Sequence, residues 1–362
     1  MNYREIGFHR LSNQRIGGEK FEKPEDVVKW LGALQAQDYM QAVWAIGLRT
    51  KSGTLADIEQ AIENGKIIRT WPMRGTIHFI PPEDARWMLK LSAARLLAAD
   101  QRRMDQLELS VEIMARCQDL FYGALSGGRR LSRPEMMKLL EDAGISTEKQ
   151  RGYHILWYIS QSGIICPGPM QDKQQTFVLL DEWVPELREL SREDGLAELA
   201  RRYFAGHGPA TVHDFAWWVG ITITEARLGL EAAKPGLVSE KIEGKEYWMG
   251  ASSPARESVS GVYLLPGFDE YLLGYKDRDA VLAAEYAQKI VPGNNGVFLP
   301  MIVVEGQVVG TWKRSLKKKA VDITLQPFMP LGPLEDRIIE TAQSYADFIG
   351  QPLISKIVNA DV

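Results

Sequence analysis

At 362 residues the chain is too long for one minimal module, and roughly 150 residues per domain suggests two to four domains with ample core. With 45% hydrophobic and 25% charged residues, the composition excludes wholesale disorder, collagen and coiled coil. A net charge of −4 does not advertise a nucleic-acid partner, so any phosphate contact must come from local patches.

The first residues, Met1 to Arg10, mix Arg4, Glu5 and His9 among apolar positions and lack the apolar core of a secretory signal. No later run is long enough to span a bilayer, so a cytoplasmic protein without a membrane partner is expected. Pro24, Glu25 and Asp26 suit a helix N-terminus, and Val27, Val28, Leu31 and Leu34 follow at helical spacing. A second helical segment runs from about Met40 to Leu48. Thr54 with Asp57 resembles a capping pair before Leu55, Ile58, Ala61 and Ile62, and Gly65 suits the stop. Ile67 to Trp71 and Thr76 to Ile80, joined through Pro72-Met73-Arg74-Gly75, read as a hairpin. Three helices and a hairpin make a winged helix, predicted over residues 1–81.

Long helical stretches follow around 85–103 and 111–125. Ser132 with Glu135 forms a capping box ahead of Met136, Met137, Leu139 and Leu140, closed by Gly144. A helix over about Glu148 to Gln161 and strands Ile164–Cys166 and Phe177–Leu180, around a turn-rich Pro167–Gln175, complete a second unit over 82–185. Thr211/Asp214 and Thr222/Glu225 start consecutive helices of a third unit, 186–250, whose strands Leu237–Ile242 and Lys245–Met249 turn at Glu243-Gly244. Beyond Gly250 strands dominate: Val262–Leu265, Val297–Val304, Gln307–Lys313 after a turn at Glu305-Gly306, and Lys319–Leu325, with a helix near Leu334–Ile349. The predicted fold class is α+β: three tandem winged-helix units with a C-terminal β-barrel-like domain, 251–362, whose boundary lies near Ala251–Ser260.

Leu34-Gln35-Ala36-Gln37 ends the helix that opens at Pro24. On a continuing helix, positions two apart differ by about 200° around the axis, whereas extended backbone puts both side chains on one side. Convergence of the two glutamines therefore requires the helix to stop near Gln35. Gln35 also continues the Val28, Leu31 stripe, so its amide sits at the core edge, where an unpaired polar group costs about 1–3 kcal/mol. On spacing alone, a backbone partner at the helix end is the commoner outcome.

The motif L-x-A-L-Q-A-Q-x-x-x-x-A-x-W-A-I-G-L-R at Leu31–Arg49 resembles the signature of the AlkZ-like DNA glycosylases, a winged-helix superfamily that excises bulky alkylated bases and unhooks interstrand crosslinks. R-T-W-P-M-R-G-T-I-H at Arg69–His78, G-P-A-T-V-H-D-F-A-W-W at Gly208–Trp218, L-L-P-G-F-D-E-Y-L-L-G-Y-K-D-R at Leu264–Arg278 and G-T-W-K-R at Gly310–Arg314 resemble the same family in order. The resemblance implies three winged-helix units and a β-barrel-like domain around a concave DNA-binding face. It also implies a catalytic Gln, apolar residue, Gln, which maps onto Gln35, Ala36 and Gln37. A sister branch resembling YcaQ carries Asp at the second position, so Gln37 places the chain on the AlkZ-like side.

Two amides suffice for this hydrolysis because an N7-alkylated guanine is cationic and departs neutral without a general acid, leaving an oxocarbenium-like sugar. Carboxamide oxygens of Gln35 and Gln37 can hold water under C1′ and offer acceptor dipoles to the developing charge without titrating. Asp38 is a possible base, with a helix-start acid as its plainer role. No lysine stands out as an amine nucleophile, so a monofunctional glycosylase leaving an abasic site is expected. For duplex contact, Arg69, Arg74 and His78 sit in or beside the first predicted wing. Trp312, Lys313 and Arg314 stand at a strand end, and Lys317, Lys318 and Lys319 would add salt-dependent affinity. For each, an ordinary structural role is the alternative: an ion pair for Arg69, a core hydrogen bond for His78, packing for Trp312.

His207 and His213 with Asp214 lack a third ligand at suitable spacing, and Cys117 and Cys166 lie in unrelated settings, so no metal, disulfide or cofactor is expected. The expected partner is double-stranded DNA with alkylated or crosslinked bases, met at the bacterial nucleoid, with no obligate protein partner. Two other readings stand beside the enzyme: a non-catalytic winged-helix regulator, which would choose a DNA sequence and tolerate loss of Gln35 and Gln37, and a metabolite-binding protein.

Overall fold

The computed structural model describes residues 2–251, 261–330 and 332–357. It is a mixed α/β fold of two compact units, Met1–Ile58 with Leu196–Val362, and Glu59–Gly195. Apart from Ala251, the boundary expected near Ala251–Ser260 lies outside the described residues.

In the first unit, the helix Pro24–Leu31 buries Val27, Val28 and Leu31, worth about 1.5–3 kcal/mol each. It stops at Gly32, φ +80°, short of Leu34, which the apolar spacing places on the helix. Glycine adopts that backbone without the Cβ clash that other residues meet. Leu34–Gln35 is extended, and Asp38 then caps the helix Tyr39–Gly47 by accepting the Gln41 N–H at 3.1 Å. A helix over Glu5–Asn13 is not foreshadowed by the sequence pattern: it buries Arg10, Ser12 and Asn13 alongside Ile6, Phe8 and Leu11, so its inner face is half polar and shows no clean apolar stripe.

Further along, both expected capping boxes form, Thr211/Asp214 on Val212–Val219 and Thr222/Glu225 on Ile223–Ala233. The strands Leu237–Ile242 and Lys245–Gly250 pair antiparallel around Glu243 and Gly244, both left-handed, as a two-residue hairpin requires. The C-terminal strands make an open five-stranded sheet, a half-barrel. Its order runs Val262–Leu265, Met301–Val304, Gln307–Leu316, Val321–Pro327, Leu353–Ile357. The last strand pairs parallel with Val321–Pro327 and has no counterpart among the expected elements, and 297–300 is not strand. The helix Glu335–Ile349 buries Ile338, Ala342, Tyr345, Ala346 and Phe348.

In the second unit, helices Ala85–Gln106, Val111–Leu125, Arg133–Asp142 and Arg151–Gln161 enclose a core that includes Met104, Phe121, Met136, Leu140, Ile155 and Phe177. The Ser132/Glu135 box is present. Arg151–Gln161 starts later than expected because Lys149 and Gln150 are left-handed. The strands Ile165–Gln171 and Gln174–Leu179 run through Pro167 and Pro169, with a register shift between Pro167 and Met170. Proline has no N–H to give the ladder, and Thr176 Oγ1 donates to Pro169 O at 2.5 Å there. The turn is thus only Asp172-Lys173, not the whole of Pro167–Gln175. Burial pushes the free Cys117 thiol up to about 11 and Cys166 up to about 12, so both act as small apolar residues.

Candidate active site

Because the backbone is extended after Gly32, Gln35 and Gln37 do project to one side: Gln35 Nε2 donates to Gln37 Oε1 at 2.6 Å. Gln35 is 7% exposed, Ala36 is fully buried and Gln37 is exposed, so the pair forms a ledge with one foot in the core. Gln35 Oε1 is buried and accepts no hydrogen bond from the described residues. Leaving such an acceptor unmet costs about 1–3 kcal/mol, and native proteins keep few of them.

The segment Leu264–Arg278 braces the chain on both sides of the ledge. Trp44 Nε1 donates to Leu264 O at 2.9 Å, and the Gly267 N–H donates to Gln41 Oε1 at 3.1 Å. Arg49, fully buried, donates to both carboxylate oxygens of Asp269 at 2.9 and 2.8 Å and to the Gln14 carbonyl and side chain, each at 2.9 Å. Asp269 in turn accepts the Tyr271 N–H at 2.9 Å. Glu270, 1% exposed, accepts the Gln35 backbone N–H at 3.4 Å, the Trp218 indole at 2.8 Å and His207 Nε2 at 3.1 Å. Just before these two acids, Phe268 is held at φ +61°, a conformation that costs a bulky residue about 1–3 kcal/mol and persists only where its surroundings enforce it.

Asp38 is tied up as a helix cap, with Arg314 Nη2 at 3.7 Å from its Oδ1. Arg314 also donates to the Tyr345 hydroxyl at 2.5 Å, which links the C-terminal sheet to the residue after Gln37. Trp312 is fully buried, donates its indole N–H to Leu265 O at 2.7 Å and packs edge-on to Tyr345. It carries the packing role and offers no surface. Lys313, Lys317, Lys318 and Lys319 are exposed around the turn that joins Gln307–Leu316 to Val321–Pro327, with Lys317 Nζ 2.8 Å from Asp322.

Within the second unit, Arg69 is 9% exposed and His78 is fully buried. His78 Nδ1 lies 2.8 Å from Thr76 O, which makes Nδ1 the donor and leaves Nε2 to accept from Arg74 Nη2 at 3.4 Å. Arg74 occupies the left-handed turn with Gly75 and is part-exposed.

The residues that sequence reasoning passes over are Glu270, Trp218 and Gln41, and it weighs His207 only as a metal ligand. Two consecutive acids in the apolar run Leu264–Leu273 were the available signal, since a charge is rarely buried without partners. His207 and His213 do not act together: the first is buried beside Glu270, the second is exposed. A cavity of about 1200 Å³ opens in the first unit, lined by Asp214, Trp217, Trp248, Lys276, Arg278 and Phe298 among others, and neither glutamine lines it.

A family model described as DNA glycosylase AlkZ-like matches residues 28–348. An interstrand DNA cross-link repair glycosylase from Streptomyces sahachiroi is 25% identical over 336 residues, covering 86% of this chain and 88% of that protein. The solved structure of Streptomyces sahachiroi DNA glycosylase AlkZ superposes with a TM-score of 0.81 at 22% identity, covering 99% of this chain and all of the other.

Proposed function

The chain belongs to the AlkZ-like DNA glycosylase family, and from that premise we propose that Gln35 and Gln37 hydrolyse the N-glycosidic bond of N7-alkylated purines and bulky or crosslinked adducts in duplex DNA. The observation that carries this reading is the amide pair. Its internal hydrogen bond uses one donor and one acceptor and leaves Gln35 Oε1 as a fixed acceptor at the ledge. Once the duplex uncovers that oxygen, water bridging from it toward C1′ is oriented for attack, while the neutral carboxamides stabilise the oxocarbenium-like sugar through their dipoles. A departing cationic base needs no acid, which agrees with a ledge that presents no titrating group of its own. Asp38 acts as a cap and stays outside the chemistry.

Gln37 is exposed rather than sunk in the deep cavity, which favours attack on a lesion left in a wrapped duplex over full extrusion into a snug pocket. The product is an abasic site without strand cleavage. Lys313, Lys317, Lys318 and Lys319 meet phosphates of the duplex, with Arg314 behind them, and Arg74 at its hairpin turn contributes from the second unit. Buried His78 holds Arg74 and buried Trp312 anchors the strand that carries Lys313, while Arg69 is buried in its own hairpin. We read the four modules 1–81, 82–185, 186–250 and 251–362 as three winged-helix units and a half-barrel, acting on chromosomal DNA in the cytoplasm.

The test is incubation of N7-methylguanine-containing and crosslinked duplexes with wild type, Gln35→Ala and Gln37→Ala, with separate assays for free base and abasic sites. Loss of one oriented dipole costs on the order of 3 kcal/mol, so each variant is expected to be slowed about 100-fold. Equal base release by all three proteins would remove the assigned roles.

A further inference from the structure

Glu270 is a buried carboxylate that the hydrolysis above does not use. It opens the short helix Glu270–Leu273 and gathers donors from three elements: Trp218 of Val212–Val219 and His207 of Arg192–His207 on Oε2, and the Gln35 backbone N–H on Oε1. The two oxygens thus face different ways. One is anchored on a rigid aromatic floor, where His207 stacks on Tyr203 at 4.8 Å between ring centres and lies 5.0 Å from Trp218. The other reaches the strand that carries the ledge. Glycine at 274 permits this packing, because a Cβ there would meet Glu270 O at 2.5 Å and His207 Cδ2 at 2.9 Å.

The contact to Gln35 falls where the chain has just left the helix and where extended backbone must be kept for the two carboxamides to meet. A shift of about 1 Å at a reacting group commonly costs on the order of 100-fold in rate. Resting on the function proposed above, we propose that Glu270 is a positioning residue for base excision: by accepting the Gln35 N–H it fixes the strand and, with it, the place of Gln35 Oε1. His207 and Trp218 hold the carboxylate in turn.

Glu270→Gln separates the two sides of this contact. Its single carbonyl can still accept from Trp218 and His207, but the other end becomes an NH₂ facing the Gln35 N–H, donor against donor. Single-turnover release of N7-methylguanine from duplex DNA is expected to fall about 10- to 100-fold, with the Kd for intact duplex within about twofold. Glu270→Asp, a carboxylate withdrawn by one methylene, is expected to show the same pattern more weakly. In a Gln35→Ala background neither change should slow the reaction further, a non-additivity that a purely structural role does not produce.

Wild-type rates in folded Glu270 variants, or losses that multiply with Gln35→Ala, would overturn the proposal. Failure of both variants to fold would overturn it too, by assigning Glu270 to stability. If Gln35→Ala itself keeps the wild-type rate, the glycosylase reading of the ledge fails first. If Gln35→Ala is slow and folded Glu270 variants are not, only the present inference falls.

Discussion

Where the chain leaves the helix Pro24–Leu31, polar groups are held out of water by one another: Gln35 by Gln37 and Glu270, Glu270 by Trp218 and His207, Asp269 by Arg49. At the turn joining Gln307–Leu316 to Val321–Pro327, Lys313, Lys317, Lys318 and Lys319 stand in solvent, and the ion pair there, Lys317 with Asp322, is itself partly exposed. A low-dielectric network fixes positions and is weakened severely when one member is removed. Solvated ammonium groups fix little, yet each can release a counterion on meeting a phosphate. On the function proposed above, the two regions divide the work, one setting rate through geometry and the other setting affinity through charge.

The largest effect is expected where burial is deepest. Arg49 and Asp269 are both fully buried and bonded through two N–H···O contacts. Arg49→Met strands the Asp269 carboxylate in the core and should cost about 3–5 kcal/mol, read as the midpoint of urea unfolding. Pairing it with Asp269→Leu removes the stranded charge, and the double variant should recover part of that stability. A single variant costing less than about 1 kcal/mol would mean that the region is wetter than its burial implies, and the contrast with the lysines would collapse.

How far the sequence shows this division depends on the kind of signal each residue leaves. Ser132/Glu135, Thr211/Asp214 and Thr222/Glu225 are legible because a capping box is local: spacing alone specifies both hydrogen bonds. The glutamine pair is legible as a motif, and the requirement that the helix end before it follows from side-chain direction. The position of that end is not, since Leu34 fits the apolar stripe and draws the helix past its true stop at Gly32. Glu5–Asn13 is invisible because its buried face carries Arg10 and Asn13, whose partners are the distant Pro209 and Gly208 carbonyls. For Glu270 the acid pair in an apolar run signals burial, but its partners, Gln35, His207 and Trp218, are distant in sequence and leave no local pattern. Trp312 and His78 read as contact residues from their places at a strand end and beside a predicted wing, yet an indole and an imidazole fill a core as readily as they meet a groove.

At the hairpin turn the expectation is smaller and of another kind. Replacing Lys317, Lys318 and Lys319 together by Ala should flatten the dependence of log K on log salt by up to about 2.7, at about 0.9 for each phosphate that is no longer neutralised. Base release at saturating DNA should stay at the wild-type rate. A slope change well below one unit would place the duplex elsewhere, and a fall in the saturated rate would show that the turn also positions the lesion.

The smallest change probes the hinge on which the ledge depends. Gly32 has φ +80° and ψ −40°, and a Cβ built there would meet only Arg202 and Trp218 side-chain atoms at 3.6–3.8 Å, an ordinary contact. Gly32→Ala therefore meets no clash from these neighbours, and its cost is the backbone conformation, which lies outside the left-handed α region and costs an L-residue about 1–3 kcal/mol in unfolding. The chain can relieve that strain by letting the Pro24–Leu31 helix run on. In that event positions 35 and 37 turn about 200° apart and the amide pair opens. Base release should then fall tenfold or more, out of proportion to the small drop in stability, while duplex affinity holds. A rate that follows stability only, or does not change, would mean that Glu270 and the strand keep the glutamines together without help from the helix end.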